Sequence, residues 1–219
     1  GFRLYSLSTE HPGLNLPANY SIIPGFQFRE RTPGVCLGLI AGRILAEEAE
    51  PLLALSRLEQ LAQIYPQGFF IPFHQGLVYQ RMGMYGQALE MFTRALDIQP
   101  HDQSRGLCAF YCAYSLTLEQ KWTQALPFLN QAVTLDPGVK EYFNLRGVAF
   151  YKQNDYEAAM NDFHQALSLD KGSAVDLANL GLCQLSLGRK EEAAATLAMA
   201  VKLDPGLDFA QEKLKEMAL

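Results

Sequence analysis

One recurring interval limits what this chain can fold into. Pro66, Pro100, Pro137 and Pro205 close apolar segments that read alike: Gln-Ile-Tyr-Pro, Asp-Ile-Gln-Pro, Thr-Leu-Asp-Pro and Lys-Leu-Asp-Pro. Lys171 stands where a fifth proline would fall, and the successive intervals are 34, 37, 34 and 34 residues. Three other residue classes keep the same register. They are the alanines Ala54, Ala88, Ala125, Ala159 and Ala193, the small residues Gly42, Gly76, Ala113, Gly147 and Gly181, and the larger apolar residues Leu58, Phe92, Leu129, Phe163 and Leu197. Four classes in one register describe stacked units that each bury a face on a neighbour, not a single globular core.

The units run over 35–68, 69–102, 106–139, 140–173 and 174–207, with Gln103 to Arg105 as three extra residues between the second and third. Within a unit the apolar residues recur three and four apart, the helical period. In 140–173, Phe143, Gly147 and Phe150 mark one helix, and Ala159, Phe163 and Ala166 mark a second. The polar turn Gln-Asn-Asp-Tyr lies between them. Each unit therefore reads as an antiparallel helix pair, with Gly or Ala where the two helices approach most closely. Proline ends the second helix because it cannot donate the backbone bond. Pro72 falls near a helix start, where a missing N–H is harmless. Pro127 lies about a turn into its helix and is expected to bend or delay it, with Thr123 as the N-cap. Residues 208–219 read as a capping helix, with Phe209, Leu214 and Met217 toward the last unit and Glu212, Lys213, Lys215 and Glu216 toward water.

Two stretches carry a family resemblance. Tyr-Phe-Asn-Leu-Arg-Gly-Val-Ala-Phe-Tyr-Lys-Gln-Asn-Asp-Tyr-Glu-Ala-Ala and Leu-Gly-Leu-Cys-Gln-Leu-Ser-Leu-Gly-Arg-Lys-Glu-Glu-Ala-Ala resemble tetratricopeptide repeats. The likeness extends over 35–219. It is strong in 69–102 and 140–207, weaker in 106–139, and weakest in 35–68, which lacks the aromatic pattern. It implies an all-α chain of tandem antiparallel helix pairs, a right-handed superhelical α–α solenoid whose first helices line a concave groove. It also implies a protein–protein adaptor or scaffold, without catalysis and without a cofactor or metal.

The resemblance places ten residues in that groove: Phe70, Phe73, Leu77, Arg81, Phe110, Tyr114, Asn144, Val148, Tyr151 and Lys152. Val175, Ala178, Leu182 and Leu185 occupy the same positions in the last full unit, where Leu182 and Leu185 read rather as packing between units. The strip is apolar and aromatic, so the expected partner is an apolar helical or extended segment of another protein. Co-chaperone members of the family grip a C-terminal carboxylate with Lys, Arg and Asn. The matching positions here hold Phe73, Leu77, Tyr111, Glu141 and Leu145, which excludes such a tail. Two other roles fit the pattern: an accessory array of a larger enzyme or regulator, and a chaperone-like holder of secretion or assembly clients.

Residues 1–34 lack the period. Pro12, Pro17, Pro24 and Pro33 with Gly13, Gly25 and Gly34 forbid a long helix, yet Phe2, Leu4, Tyr5, Leu14, Leu16, Tyr20, Ile22, Ile23, Phe26 and Phe28 make the stretch too apolar for a solvated linker. It reads as an extended, non-repeat segment that caps the first units or occupies the chain's own groove. Asn19-Tyr20-Ser21 fits a glycosylation sequon, which matters only in a secreted chain.

A net charge of -5 argues against nucleic acid, which needs clustered Lys and Arg. No run of 18 apolar residues is present, so no helix spans a bilayer. Cys36, Cys108, Cys112 and Cys183 form no Cys-x-x-Cys and read as small buried thiols, which favours a reducing, cytoplasmic setting. The first residue is Gly, which points to a fragment. Of the histidines, His11, His101 and His164 suggest no site, whereas His74 lies near the groove, within conceivable reach of Cys108 or Cys112. No phosphate loop or nucleophile elbow occurs.

Overall fold

The computed structural model describes residues 5–8, 19–22, 37–66 and 68–217. Among them are eleven helices: α1 (Leu37–Glu48), α2 (Pro51–Ile64), α3 (Phe70–Arg81), α4 (Tyr85–Ile98), α5 (Asp102–Leu118), α6 (Trp122–Leu135), α7 (Lys140–Lys152), α8 (Tyr156–Leu169), α9 (Ala174–Ser186), α10 (Lys190–Leu203) and α11 (Asp208–Met217). The fold is an all-α array of tandem antiparallel helix pairs. Two short strands precede it, β1 (Tyr5–Ser8) and β2 (Asn19–Ile22), paired antiparallel with Tyr5 opposite Ile22. The sequence predicts extended chain here, and the pairing of the two strands adds to that. The sequon asparagine Asn19 begins β2. The chain divides into two units, Gly1–Ala95 and Leu96–Leu219.

In the first unit, Leu45, Ala46, Ala54, Leu58, Leu61, Phe70, Ile71 and Val78 form one core shared by α1, α2 and α3. Glu50 caps α2 by accepting the Leu53 N–H at 3.0 Å, and Pro51 supplies its first position. Farther along, Gly76 on α3 lets the Phe92 ring of α4 approach so closely that an added Cβ would lie 2.6 Å from it.

The second unit repeats that device. A Cβ on Gly147 of α7 would lie 2.9 Å from the Phe163 ring of α8, and one on Gly181 of α9 would lie 2.8 Å from Leu197 of α10. Phe163 and Leu197 are almost wholly buried, so each contributes about 1.5–3 kcal/mol of transfer free energy. Pro127 sits inside α6 without ending it. Thr123 is not the cap expected for that helix: Lys121 precedes α6, and the Thr123 hydroxyl instead donates to Gln153 Oε1 at 3.3 Å.

The ends of the second helices show what the recurrent proline was tracking. Asp136, Asp170 and Asp204 follow α6, α8 and α10, and each side chain accepts the N–H of the glycine two residues on, at 3.2, 3.0 and 2.8 Å. These aspartate turns stop the helix whether Pro137, Lys171 or Pro205 comes next. The lysine at 171 therefore changes nothing locally. Leu207, Ala210, Leu214 and Met217 seat α11 on the last pair. Phe209, expected to face that pair, is 42% exposed, because the buried stripe is rotated by one residue onto Ala210.

Candidate functional site

The first-helix positions fall differently in the two units. In the first, Phe70 belongs to the core at 5% exposure, edge-on to Tyr65 and Phe69, which corrects its expected place on an open groove. Phe73 is half-buried with its ring 5.5 Å from that of Phe92, and Leu77 leans on the α1–α3 core. Arg81 is exposed, but its guanidinium donates to the carbonyls of Ala46 and Ala49, the latter at 3.1 Å, closing the end of α1. His74, expected near the groove, is also interior at 4% exposure. Its Nδ1 lacks a hydrogen-bond partner and faces Gly42 of α1, where a Cβ would come within 2.7 Å. Burial drives its pKa down to about 4, helped by the positive charge of Arg43 against an opposing backbone hydrogen bond at Phe70.

The second unit presents an apolar first-helix face. Leu107, Tyr114 and Leu118 lie along α5, and each is about two-fifths exposed. Phe110, between them, stacks on Tyr114 at 6.1 Å and on Tyr142 of α7 at 5.1 Å. Leu118 was not foreseen, although it follows Tyr114 by four residues and holds the register of Arg81 and Lys152, which close α3 and α7 as Leu118 closes α5.

Beyond α5, a shallow open cleft of about 140 Å³ is lined by Val148, Tyr151 and Lys152 of α7, Asn179 and Leu182 of α9, and Phe163 of α8. Leu182, expected to be mere packing, is a wall of this cleft. Ala178, expected on the face, is fully buried, and Asn179 takes its place by a one-residue rotation of α9. The Tyr151 ring is held edge-on to Tyr156 at 5.4 Å. Asn144 does not line the cleft; its amide donates to the buried Asp176 of α9, whose own N–H is capped by Ser173 at 3.3 Å.

The remaining polar chemistry is structural. Arg146 of α7 donates through Nε and Nη2 to Asp162 of α8 at 2.8 and 2.7 Å, and through Nη1 to Asn130 of α6 at 3.0 Å. The Lys140 ammonium pairs with Asp170, raising the lysine's pKa and lowering the aspartate's. Cys108, Cys112 and Cys183 are free and buried, and burial pushes the Cys108 and Cys183 thiols up to about 12, far from nucleophilic character at neutral pH. Among the described residues no group of three His, Cys, Asp or Glu is placed to hold a metal, and no helix is long and apolar enough to cross a membrane. Cys36 and His11 lie outside the described residues.

Comparison with known proteins agrees with this architecture. Tetratricopeptide-repeat family models match residues 73–102, 119–174 and 150–216. The chain belongs to the tetratricopeptide-repeat family, a class of protein-interaction scaffolds. It is 35% identical over 100 residues to a lipoprotein NlpI homolog of Haemophilus influenzae, covering 45% of this chain and 31% of that protein. It is 34% identical over 84 residues to the TPR repeat-containing thioredoxin TDX of Arabidopsis thaliana, covering 38% and 22%. A third relative, the photosystem I assembly protein Ycf3 of Cyanophora paradoxa, is 26% identical over 100 residues, covering 46% and 58%. The chain thus spans less than two thirds of each of these relatives. Among solved structures it resembles YrrB, described as a TPR protein with an unusual peptide-binding site, with a TM-score of 0.70, 22% identity and coverage of 81% of this chain and 90% of that one. It also resembles MamA from Desulfovibrio magneticus RS-1, with a TM-score of 0.67, 21% identity and coverage of 77% and 93%. At such identities these structures speak for the fold alone.

Proposed function

We propose that this chain is an adaptor that seats an apolar segment of a partner protein on its first-helix face, with the cleft between α7 and α9 as the anchor point. The observation that carries this reading is the cleft itself. Three of the ten residues expected on the binding face, Val148, Tyr151 and Lys152, converge there with Leu182 across an open apolar floor. Exposed Leu107, Tyr114 and Leu118 on α5 enlarge the apolar surface, and aromatic side chains are frequent binding anchors. The peptide-binding site of YrrB, on a similar fold, is consistent with such a role.

The test is a random-peptide display screen on the immobilised full chain, followed by anisotropy titration of the recovered peptides. Enriched peptides should carry an apolar anchor and lose roughly tenfold or more in affinity to Leu182→Asp, since a hot-spot residue is worth about 2 kcal/mol. Recovered binders indifferent to both Leu182→Asp and Tyr114→Asp, in variants with unchanged circular dichroism, would overturn the reading.

A second arrangement has its own support. The aligned stretch is 31% and 22% of two of the relatives, so an array of this kind also serves inside longer proteins. A partner segment would then belong to the same polypeptide.

A further inference from the structure

The cleft between α7 and α9 has a chemical bias that an apolar anchor point does not need. Its volume of about 140 Å³ is close to the ~150 Å³ of an engineered apolar cavity that accepts benzene, so it matches one aromatic ring. Its floor and walls, Phe163, Val148, Leu182 and the Tyr151 ring, suit such a guest. The two other lining residues are polar, and neither has a partner among the described residues. Lys152 is exposed and makes no ion pair, and the Asn179 amide makes no hydrogen bond. Lys121, Lys140 and Lys213 of the same unit are met by Glu119, Asp170 and Glu216, whereas Lys171, Lys190, Lys202 and Lys215 are, like Lys152, in no ion pair; of these lysines Lys152 alone lines the cleft. Lys213 of α11 lies within electrostatic range of the Tyr151 phenol, but its charge is met by Glu216. No carboxylate lines the cleft, although the chain as a whole carries a net charge of -5.

Resting on the reading above, we infer that the cleft between α7 and α9 takes an acidic segment of a partner protein, with one aromatic ring on the apolar floor, a neighbouring carboxylate on Lys152 and a backbone amide on Asn179. Charge complementarity selects this occupant over a neutral or basic apolar segment. The ring supplies burial, while the carboxylate supplies specificity and salt-dependent association. The Asn179 side chain has both a donor and an acceptor, which is what an extended backbone beside a seated side chain requires.

Three fluorescein-labelled decapeptides test this on the full chain, each with one central Phe flanked by Glu, by Ser or by Lys. Anisotropy titrations are run at low and physiological salt, with wild type, Lys152→Glu and Leu182→Asp. The Glu-flanked peptide should bind roughly fivefold tighter than the Ser-flanked one at low salt, the scale of an exposed ion pair, and the margin should shrink as salt is added. Lys152→Glu should reverse the order and favour the Lys-flanked peptide. Equal binding of all three peptides, unchanged by Lys152→Glu but lost in Leu182→Asp, would overturn the acidic preference and leave the apolar anchor standing. Peptides that bind none of the proteins, or bind wild type and Leu182→Asp alike, would overturn both. Because Lys152 is exposed, its reversal should leave the fold intact; Lys152→Gln, which should abolish the preference without reversing it, gives an independent check.

Discussion

The α7–α8 pair and the α1–α2 pair carry glycine at the same register, Gly147 and Gly42, and use it in opposite ways. Gly147 admits the Phe163 ring from its own partner helix. Gly42 admits the His74 ring from α3, the first helix of the next pair. Around Gly147 the buried polar groups are paired, with Arg146 forked onto Asp162 and braced by Asn130. Around Gly42 the buried polar group is incompletely paired, since His74 Nδ1 has no partner. One repeat position thus supports a closed ionic network in one place and an incompletely satisfied imidazole in another. A repeat sequence specifies where helices touch; the energetics of each contact depend on what is inserted there.

The largest effect should come from the network. Arg146→Ala leaves Asp162 buried without its cation and should cost about 3–5 kcal/mol, read by urea unfolding through Trp122 on the adjacent α6. Arg146→Met with Asp162→Leu should restore most of that loss. A loss below about 1 kcal/mol for the single variant would mean that water screens the pair, and the contrast with His74 would fail.

Next in size is an acid response confined to the first unit. The folded pKa of His74 is about 4 and its ordinary value is 6.5, so the unfolded chain takes up the proton first. The stability linked to it is complete above pH 6.5 and falls as pH drops toward 4, by roughly 3 kcal/mol in all. Hydrogen exchange at the Leu45, Ala46 and Val78 amides should therefore quicken at pH 4.5 relative to pH 7, after correction for intrinsic rates, and His74→Leu should flatten the difference. Equal acceleration in both proteins would assign the response to other groups.

Smaller effects separate crowded glycines from open ones. Gly42→Ala places a methyl 2.7 Å from the imidazole and should cost about 1–3 kcal/mol in thermal unfolding. Gly86→Ala, in the first turn of α4 with nothing within 4 Å, should stabilise by about 0.5–1 kcal/mol. If both alanines behaved alike, close approach would not be the reason for glycine at 42.

Periodicity made the helices legible because the same physical demand recurs every 34 residues, and repetition amplifies it. The floor of the cleft was legible for the same reason, since Phe163 occupies a repeated position. Its rim was harder to read. Asn179 sits beside Ala178, and only the actual rotation of α9 decides which of the two faces out. Phe70 and His74 were misplaced because an aromatic near a helix start reads as surface until the rings around it are seen, Tyr65 and Phe69 about Phe70, and Phe70 and Phe73 about His74. Pro127 did not delay its helix, which begins at Trp122, and Thr123 did not cap it, which shows neighbouring helices overriding local preference.

The turns between paired helices close on one shared conformation. Gly83, Gln120, Asn154 and Gly188 all have left-handed backbone, with φ of 73°, 59°, 63° and 79°, and they recur at the intervals of the repeat itself. Two are glycine and two are not, so the joint is defined by its angle rather than by its residue. Such joints are exchangeable parts. A loop lifted from one pair should graft into another without re-engineering the helices, and Gln120→Gly and Asn154→Gly are positions where an engineer can relax the joint to compare a uniform array with the natural one. The corresponding residue after α1 is Ala49, outside that left-handed set. A transplanted loop should therefore fail there first, and its failure would mark where the regular lattice of repeats begins.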